Sequence, residues 1–74
     1  MWILIQYDRR NDTQSNIGLV SDDTELLNFI NGMLQTSVGA ERVMLPEQMP
    51  HVDKKMYPLI TSRQHDYYAQ WFTI

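Results

Sequence analysis

The chain has 74 residues, no cysteine and a formal net charge of −3 at pH 7. This length fits one domain, and no stretch has the composition of a linker, so we expect a single domain over residues 1–74. The absence of cysteine excludes a disulfide framework, a thiolate zinc site and a thiol nucleophile. The six basic residues are scattered along the chain, which argues against direct nucleic-acid binding because phosphate contacts need a concentrated basic face.

The apolar run at residues 1–5 has the wrong layout for a signal peptide. It is short, and the nearest positive charges, Arg9 and Arg10, follow it instead of preceding it. No other apolar run approaches the roughly 18 residues that are needed to cross a bilayer. We therefore expect an unexported, cytoplasmic chain with no membrane segment.

The first predicted element is a strand over residues 1–7, whose apolar side chains fall on both faces. Residues 8–16 are nine polar residues in a row, which is typical of an exposed, mobile loop. Residues 17–20 then predict a short second strand, most simply paired antiparallel with the first. Gly18 within this strand indicates a bulge or a close backbone approach.

The strongest local signal is a capped helix. Asp22 can act as N-cap, and Glu25, three residues later, can reach back as in a capping box. Apolar residues then recur at three- and four-residue spacing, which predicts one broad stripe packed on a sheet. Gly39 is expected to end the helix or start the next turn. The apolar stripe consists of Leu26, Leu27, Phe29, Ile30, Met33 and Leu34.

Residues 42–45 predict a third strand that Pro46 stops. The connection that follows, residues 46–55, holds two prolines and four charges. We therefore expect an irregular segment with one helical turn starting at Pro46.

Residues 56–62 and 67–74 are rich in β-branched and aromatic residues and predict a hairpin with residues 63–66 as its loop. Pro58 cannot donate to a ladder, so the first of these strands is expected at a sheet edge. The predicted order is ββαβββ. It describes an α+β fold in which a small, mostly antiparallel sheet carries one main amphipathic helix on one face.

No group of residues has a clear catalytic or metal-binding signature. His51 and His65 each have a nearby acid, but they lie in a loop and a turn, whereas a zinc centre needs several ligands on rigid elements. Ser62, His65 and Asp66 include the residue types of a nucleophilic triad, yet all three fall in one hairpin. The glycines are isolated from one another and form no phosphate loop. We predict that the chain is not an enzyme and has no catalytic residue, cofactor or metal.

The last eight residues hold the densest aromatic group. Alternation places Tyr67 and Trp71 on one face of the strand and Tyr68 on the other. One helix covers one face of a sheet, so aromatic surface remains for a partner unless the connection after Pro46 folds over it. Tyr and Trp are frequent interface hot spots. We therefore predict that a partner contacts Tyr67, Tyr68 and Trp71, with Arg9 and Arg10 supplying polar contacts.

Three functions fit these features. The first is a non-catalytic protein-binding module, a stoichiometric regulator or inhibitor that occludes a larger protein, as many small proteins of phages and mobile elements do, anti-defence proteins among them. The second is a self-associating structural protein, a homodimer in which the strand around Pro58 or residues 67–74 pair across a twofold axis. The third is a small enzyme or ligand-binding domain, whose sign would be a polar cavity containing His51 or His65.

Overall fold

The computed structural model describes all 74 residues. In chain order the elements are β1 (Trp2–Asp8), β2 (Thr13–Val20), α1 (Asp23–Thr36), β3 (Glu41–Arg42), a 3-10 turn (Pro46–Gln48), β4 (Met56–Thr61) and β5 (His65–Trp71). The strands form one antiparallel sheet in the order β2-β1-β5-β4-β3. The predicted α+β class and the ββαβββ order are confirmed.

The first hairpin is longer than the sequence predicts. Strand β2 begins at Thr13, so the prediction of a mobile loop over residues 8–16 was wrong for the second half of that segment. The carboxylate of Asp8 accepts hydrogen bonds from the backbone amides that follow it, and Asp12 adopts a φ of 53°, which together close a tight turn. Polar side chains are compatible with a strand here because β2 is an edge strand that faces water.

The bulge indicated by Gly18 is present. The register between β1 and β2 shifts between Leu4 and Ile5, whose partners are Gly18 and Asn16, so Ile17 has no partner on β1. Gly18 also lies close to the side chain of Leu4. A bulge of this kind bends and twists the strand that carries it.

The helix begins as predicted. The Asp22 carboxylate accepts the amide of Glu25 at 2.9 Å. The Glu25 carboxylate accepts the amide of Ser21 at 3.0 Å, one residue before the position that a capping box uses. The helix ends at its C-cap Ser37, and Gly39, with a φ of 69°, then turns the chain toward β3. No helix of the structure combines the length and apolar character that crossing a membrane requires.

The second half of the chain differs from the prediction in detail. Strand β3 is only two residues long, whereas the helical turn at Pro46 is present. His65 and Asp66 belong to β5, because the turn after β4 is shorter than the expected loop. Strand β4 lies between β5 and β3, but β3 pairs only with its last two residues, so Pro58 has no strand beside it on that side.

One core lies between the helix and one face of the sheet. Each of its fully buried Leu or Ile side chains contributes about 1.5–3 kcal/mol relative to an exposed one. Met49 shows that the connection after Pro46 also covers part of this face. The core residues are Trp2, Leu4, Leu26, Ile30, Met49, Tyr57, Leu59, Ile60, Tyr67 and Ala69.

Candidate functional site

The two faces of the sheet differ in what covers them. Paired residues of antiparallel strands point to the same face, so the register assigns every paired strand residue to a side. The side chains that pack against α1 define the helix face. We call the opposite side the open face, since the only α-helix lies on the other side. Its apolar side chains are Ile3, Ile5, Tyr7, Leu19, Met56, Pro58 and Tyr68.

The open face has a dry centre and exposed margins. Ile5 is only 2% exposed although it lies outside the core cluster between the helix and the sheet. Leu19 on β2 is 64% exposed and Met56 on β4 is 39% exposed, so the apolar surface reaches toward both sides of the sheet. Tyr7 and Tyr68 lie on the strands between these two exposed margins and are half-buried. The row of paired residues from Leu19 to Met56 runs through Ile3 and the polar Gln70. Apolar sheet surface that no helix covers is a candidate interaction site.

The three predicted aromatic contacts fall on different faces. Tyr67 is 5% exposed in the core, and its hydroxyl accepts a hydrogen bond from Gln6. Trp71 is half-buried, and His51 from the connection stacks on it at 3.8 Å between ring centroids. Tyr68 lies on the open face. The connection thus folds over part of the aromatic surface, and a partner-binding role for these residues stays a prediction.

Arg9 and Arg10 have unlike environments. The guanidinium of Arg9 forms an ion pair with Asp66 and donates to the backbone carbonyls of Ser62 and Arg63, so it joins the two hairpin turns. Arg10 is exposed, and its side chain has no hydrogen bond or ion pair. Arg10 is therefore the residue of this pair whose charge is free for another molecule.

Hydrogen bonds in the turn between β1 and β2 shift the pKa values of Tyr7 and Asp8. Burial of Asp8 acts to raise its pKa, but hydrogen bonds from the backbone amides of Arg10 and Asn11 and from side-chain amides outweigh it, so the pKa is lowered. The hydroxyl of Tyr7 donates to the Asp12 carboxylate, which raises the pKa of Tyr7. The hydrogen bonds of this turn thus favour the ionised form of the Asp8 carboxylate.

The two histidines are far apart. His51 lies 3.0 Å from the Asp23 carboxylate and contacts Trp2 at the start of β1, whereas His65 lies 3.7 Å from Asp8 at its end. No group of three or more His, Cys, Asp or Glu side chains is arranged to hold a metal ion. The Ser62 hydroxyl donates to the backbone carbonyl of His65, not to its ring.

An open cleft of about 680 Å³ lies where the two hairpin turns meet the end of α1. It is polar, and Arg10, Arg63, Ser37 and His65 line it. The hydroxyl of Ser62, which also lines it, is already hydrogen-bonded. The negative end of the helix dipole also points toward this region, which weakens its attraction for anions.

The contacts predicted from the sequence do not include the margins of the open face. The predicted contacts are aromatic or basic, whereas Leu19 and Met56 are aliphatic. The available signal was the alternation of the strands together with a single helix, since half of the apolar strand residues then have no cover. Comparison with known proteins finds no matching family model, no matching curated protein and no matching solved structure.

Proposed function

We propose that this chain is a non-catalytic protein-binding module that regulates or inhibits a larger protein by occluding part of its surface. The observation that carries the proposal is the open face, an apolar sheet surface with no helix over it. A stoichiometric binder needs a surface and no chemical step.

The layout of the open face resembles the anatomy of an interface. Ile5 is already excluded from water, with Tyr68 from the neighbouring strand paired beside it. Leu19 and Met56 remain exposed on either side. A partner that covers these margins gains about 25 cal/mol for each Å² of apolar surface removed from water. Tyr68 supplies the residue type most often found at the energetic centre of such contacts.

The charges of the open face favour apolar recognition. Its paired residues include only two charged side chains, Asp66, which Arg9 already neutralises, and Glu41 at the end of the sheet on β3. Contacts to the open face should therefore depend weakly on salt, because few counter-charges are left to be screened. Polar contacts would come from the turn beside it, where Arg10 is free.

The test is capture of a partner from host extract, followed by mass spectrometry, with matched variants. We expect Met56→Lys and Tyr68→Ala to lose a partner that the wild-type chain retains at one-to-one stoichiometry. Val52→Lys is the control, since Val52 is 49% exposed but lies in the connection instead of the sheet. A partner captured equally by all these folded variants, or no partner at all, would refute a binding role for the open face.

Ligand binding is the second candidate function, because the polar cleft contains His65. Its test is titration with inorganic phosphate, followed by amide shifts of Arg63 and His65 in NMR spectra. A saturable shift confined to the cleft would favour this function. Shifts that grow linearly with salt would dispose of it.

A further inference from the structure

Strand β2 leaves one edge of the sheet without a neighbour. Its eight residues, Thr13–Val20, pair only with β1, and the first seven of them are exposed. The strand contains no charged residue and no proline. Natural proteins usually protect such an edge with lysine, proline, a short strand or a covering loop, because its free N–H and C=O groups can pair with another chain.

The opposite edge has the protection that β2 lacks. Strand β3 is two residues long, both of its side chains are charged, and Pro46 follows soon after it. Only the bulge at Ile17 modifies the β2 edge. The difference between the edges indicates that β2 is available for pairing.

We propose that β2 pairs antiparallel with β2 of a second copy of this chain. Antiparallel edge-to-edge pairing of identical strands requires a twofold axis perpendicular to the sheet. Such an axis leaves the open faces of both copies on the same side. The two five-stranded sheets would join into one sheet of ten strands, and a partner would meet two adjacent open faces.

The register of this pairing follows from the faces of β2. When the two strands overlap along their full length, Thr13 lies opposite Val20 and Gln14 lies opposite Leu19. Thr13 and Val20 both point to the helix face, while Gln14 and Leu19 both point to the open face. The next pair inward, Ser15 opposite Gly18, again lies on the helix face. Opposed residues therefore point to the same face at every position outside the bulge.

The bulge is what makes this match hold. Identical regular strands of eight residues cannot overlap end to end about a twofold axis, because opposite residues would point to different faces. The extra residue Ile17 shifts the alternation within β2 and restores agreement between its two halves. At the axis Asn16 then lies opposite Ile17, which is 43% exposed in the single chain.

Charge complementarity selects a second copy as the occupant. Antiparallel pairing brings the β1–β2 turn of each copy beside the start of α1 in the other. The turn carries Arg10, whose side chain has no partner within its own chain. The start of α1 carries Asp22 and Asp23, each with one carboxylate oxygen that makes no hydrogen bond. Because of the twofold symmetry, the attraction between Arg10 of one copy and the acidic helix start of the other occurs twice in the dimer.

Sedimentation analysis across a dilution series tests the dimer. We expect the wild-type chain to form dimers and Asn16→Lys to weaken them by about tenfold or more, because it places two like charges across the axis. Asn16→Glu should weaken them equally, whereas an equimolar mixture of the two variants should dimerise again. Asn31→Lys is the matched control, since Asn31 is exposed on α1 and is not part of β2. A chain that is monomeric at every concentration, or a dimer that Asn16→Lys leaves intact, would overturn the proposal.

Cysteine cross-linking tests the register, and the chain has no cysteine of its own to interfere. In the proposed register Gln14 and Leu19 of different copies are directly opposed, within reach of a disulfide. Under oxidation, Gln14→Cys mixed with Leu19→Cys should give a covalent dimer, and neither variant alone should. A cross-link with Gln14→Cys alone would overturn this register. Met56→Lys should leave the dimer unchanged, which separates failure here from failure of the proposed function.

Discussion

The two faces of this sheet are built from alternate residues of the same strands, yet they have opposite exposure. On the helix face, Trp2 and Ala69 are fully buried beneath α1 and the connection. On the open face, Leu19 is 64% exposed and Met56 is 39% exposed. The helix face therefore supplies most of the stability. On the open face the buried Ile5 also contributes to folding, whereas the exposed Leu19 and Met56 contribute little and remain for binding. Substitutions on the two faces should separate these roles.

The largest expected contrast is between a core residue and an open-face residue. Leu59→Ala removes a side chain that is 0% exposed and should lower the free energy of unfolding by about 2–5 kcal/mol. Leu19→Ala should change it by less than about 0.5 kcal/mol. Urea denaturation measures both values in dilute solution. Equal losses would mean that the open face contributes to stability as much as the core does.

The aromatic residues of β5 give the next contrast. Trp71→Ala loses the stack with His51 and the edge contact with Trp2, and should cost about 2 kcal/mol because Trp71 is half-buried. Tyr68→Ala should cost less than about 1 kcal/mol. Partner affinity should show the reverse order if the open face is the binding surface. A folded Trp71→Ala chain that loses all binding would instead place a contact on the helix face, as the sequence predicted for Trp71.

Loss of the helix N-cap should have a smaller effect on the free energy of unfolding than the core substitutions. Asp22→Ala removes the bond to the Glu25 amide and should lower the free energy of unfolding by about 1 kcal/mol. Asn28→Ala changes an exposed position in the middle of α1 and serves as the control. Thermal unfolding followed by circular dichroism compares them. A control that loses as much as the cap variant would show that the capping bond adds nothing.

Local signals in the sequence were sufficient for much of this architecture. The cap at Asp22 and the turn at Pro46 follow from nearby residues, and alternation correctly separates Tyr68 from Tyr67. The length of β2 could not be predicted in this way, because polar residues such as Gln14 fit an edge strand as well as a loop. The sequence left open whether the connection after Pro46 covers Trp71, and local signals could not decide it, because His51 reaches Trp71 from twenty residues away in the chain. Long-range packing decides both.

Long-range packing also decides which strand is free to pair with a second copy of the chain. The sequence predicts that role for the strand around Pro58 or for residues 67–74. Residues 67–71 lie in β5, which is paired with β1 and β4 on its two sides and has no free edge, so this part of the expectation was wrong. An aromatic strand at the centre of a sheet and one at its edge have the same composition. Only the strand order distinguishes them.

The smallest expected effect is on the turn that leads into the free edge. The lowered pKa of Asp8 means that its hydrogen bonds favour the ionised form. They stabilise the fold fully above the ordinary aspartate value of 3.8, and this contribution is lost as the pH falls through the lower folded pKa. His65, 3.7 Å away, adds attraction when it is protonated.

Asp8→Asn should therefore lower stability modestly at neutral pH and remove part of the loss that acid causes in the wild-type chain. Urea midpoints measured from neutral pH down to about pH 2 would show the wild-type and variant curves converging as Asp8 is protonated. Glu47→Gln is the control, because Glu47 is exposed and its side chain makes no hydrogen bond. Curves that stay parallel through this range would mean that the Asp8 carboxylate stabilises the turn by shape and not by charge.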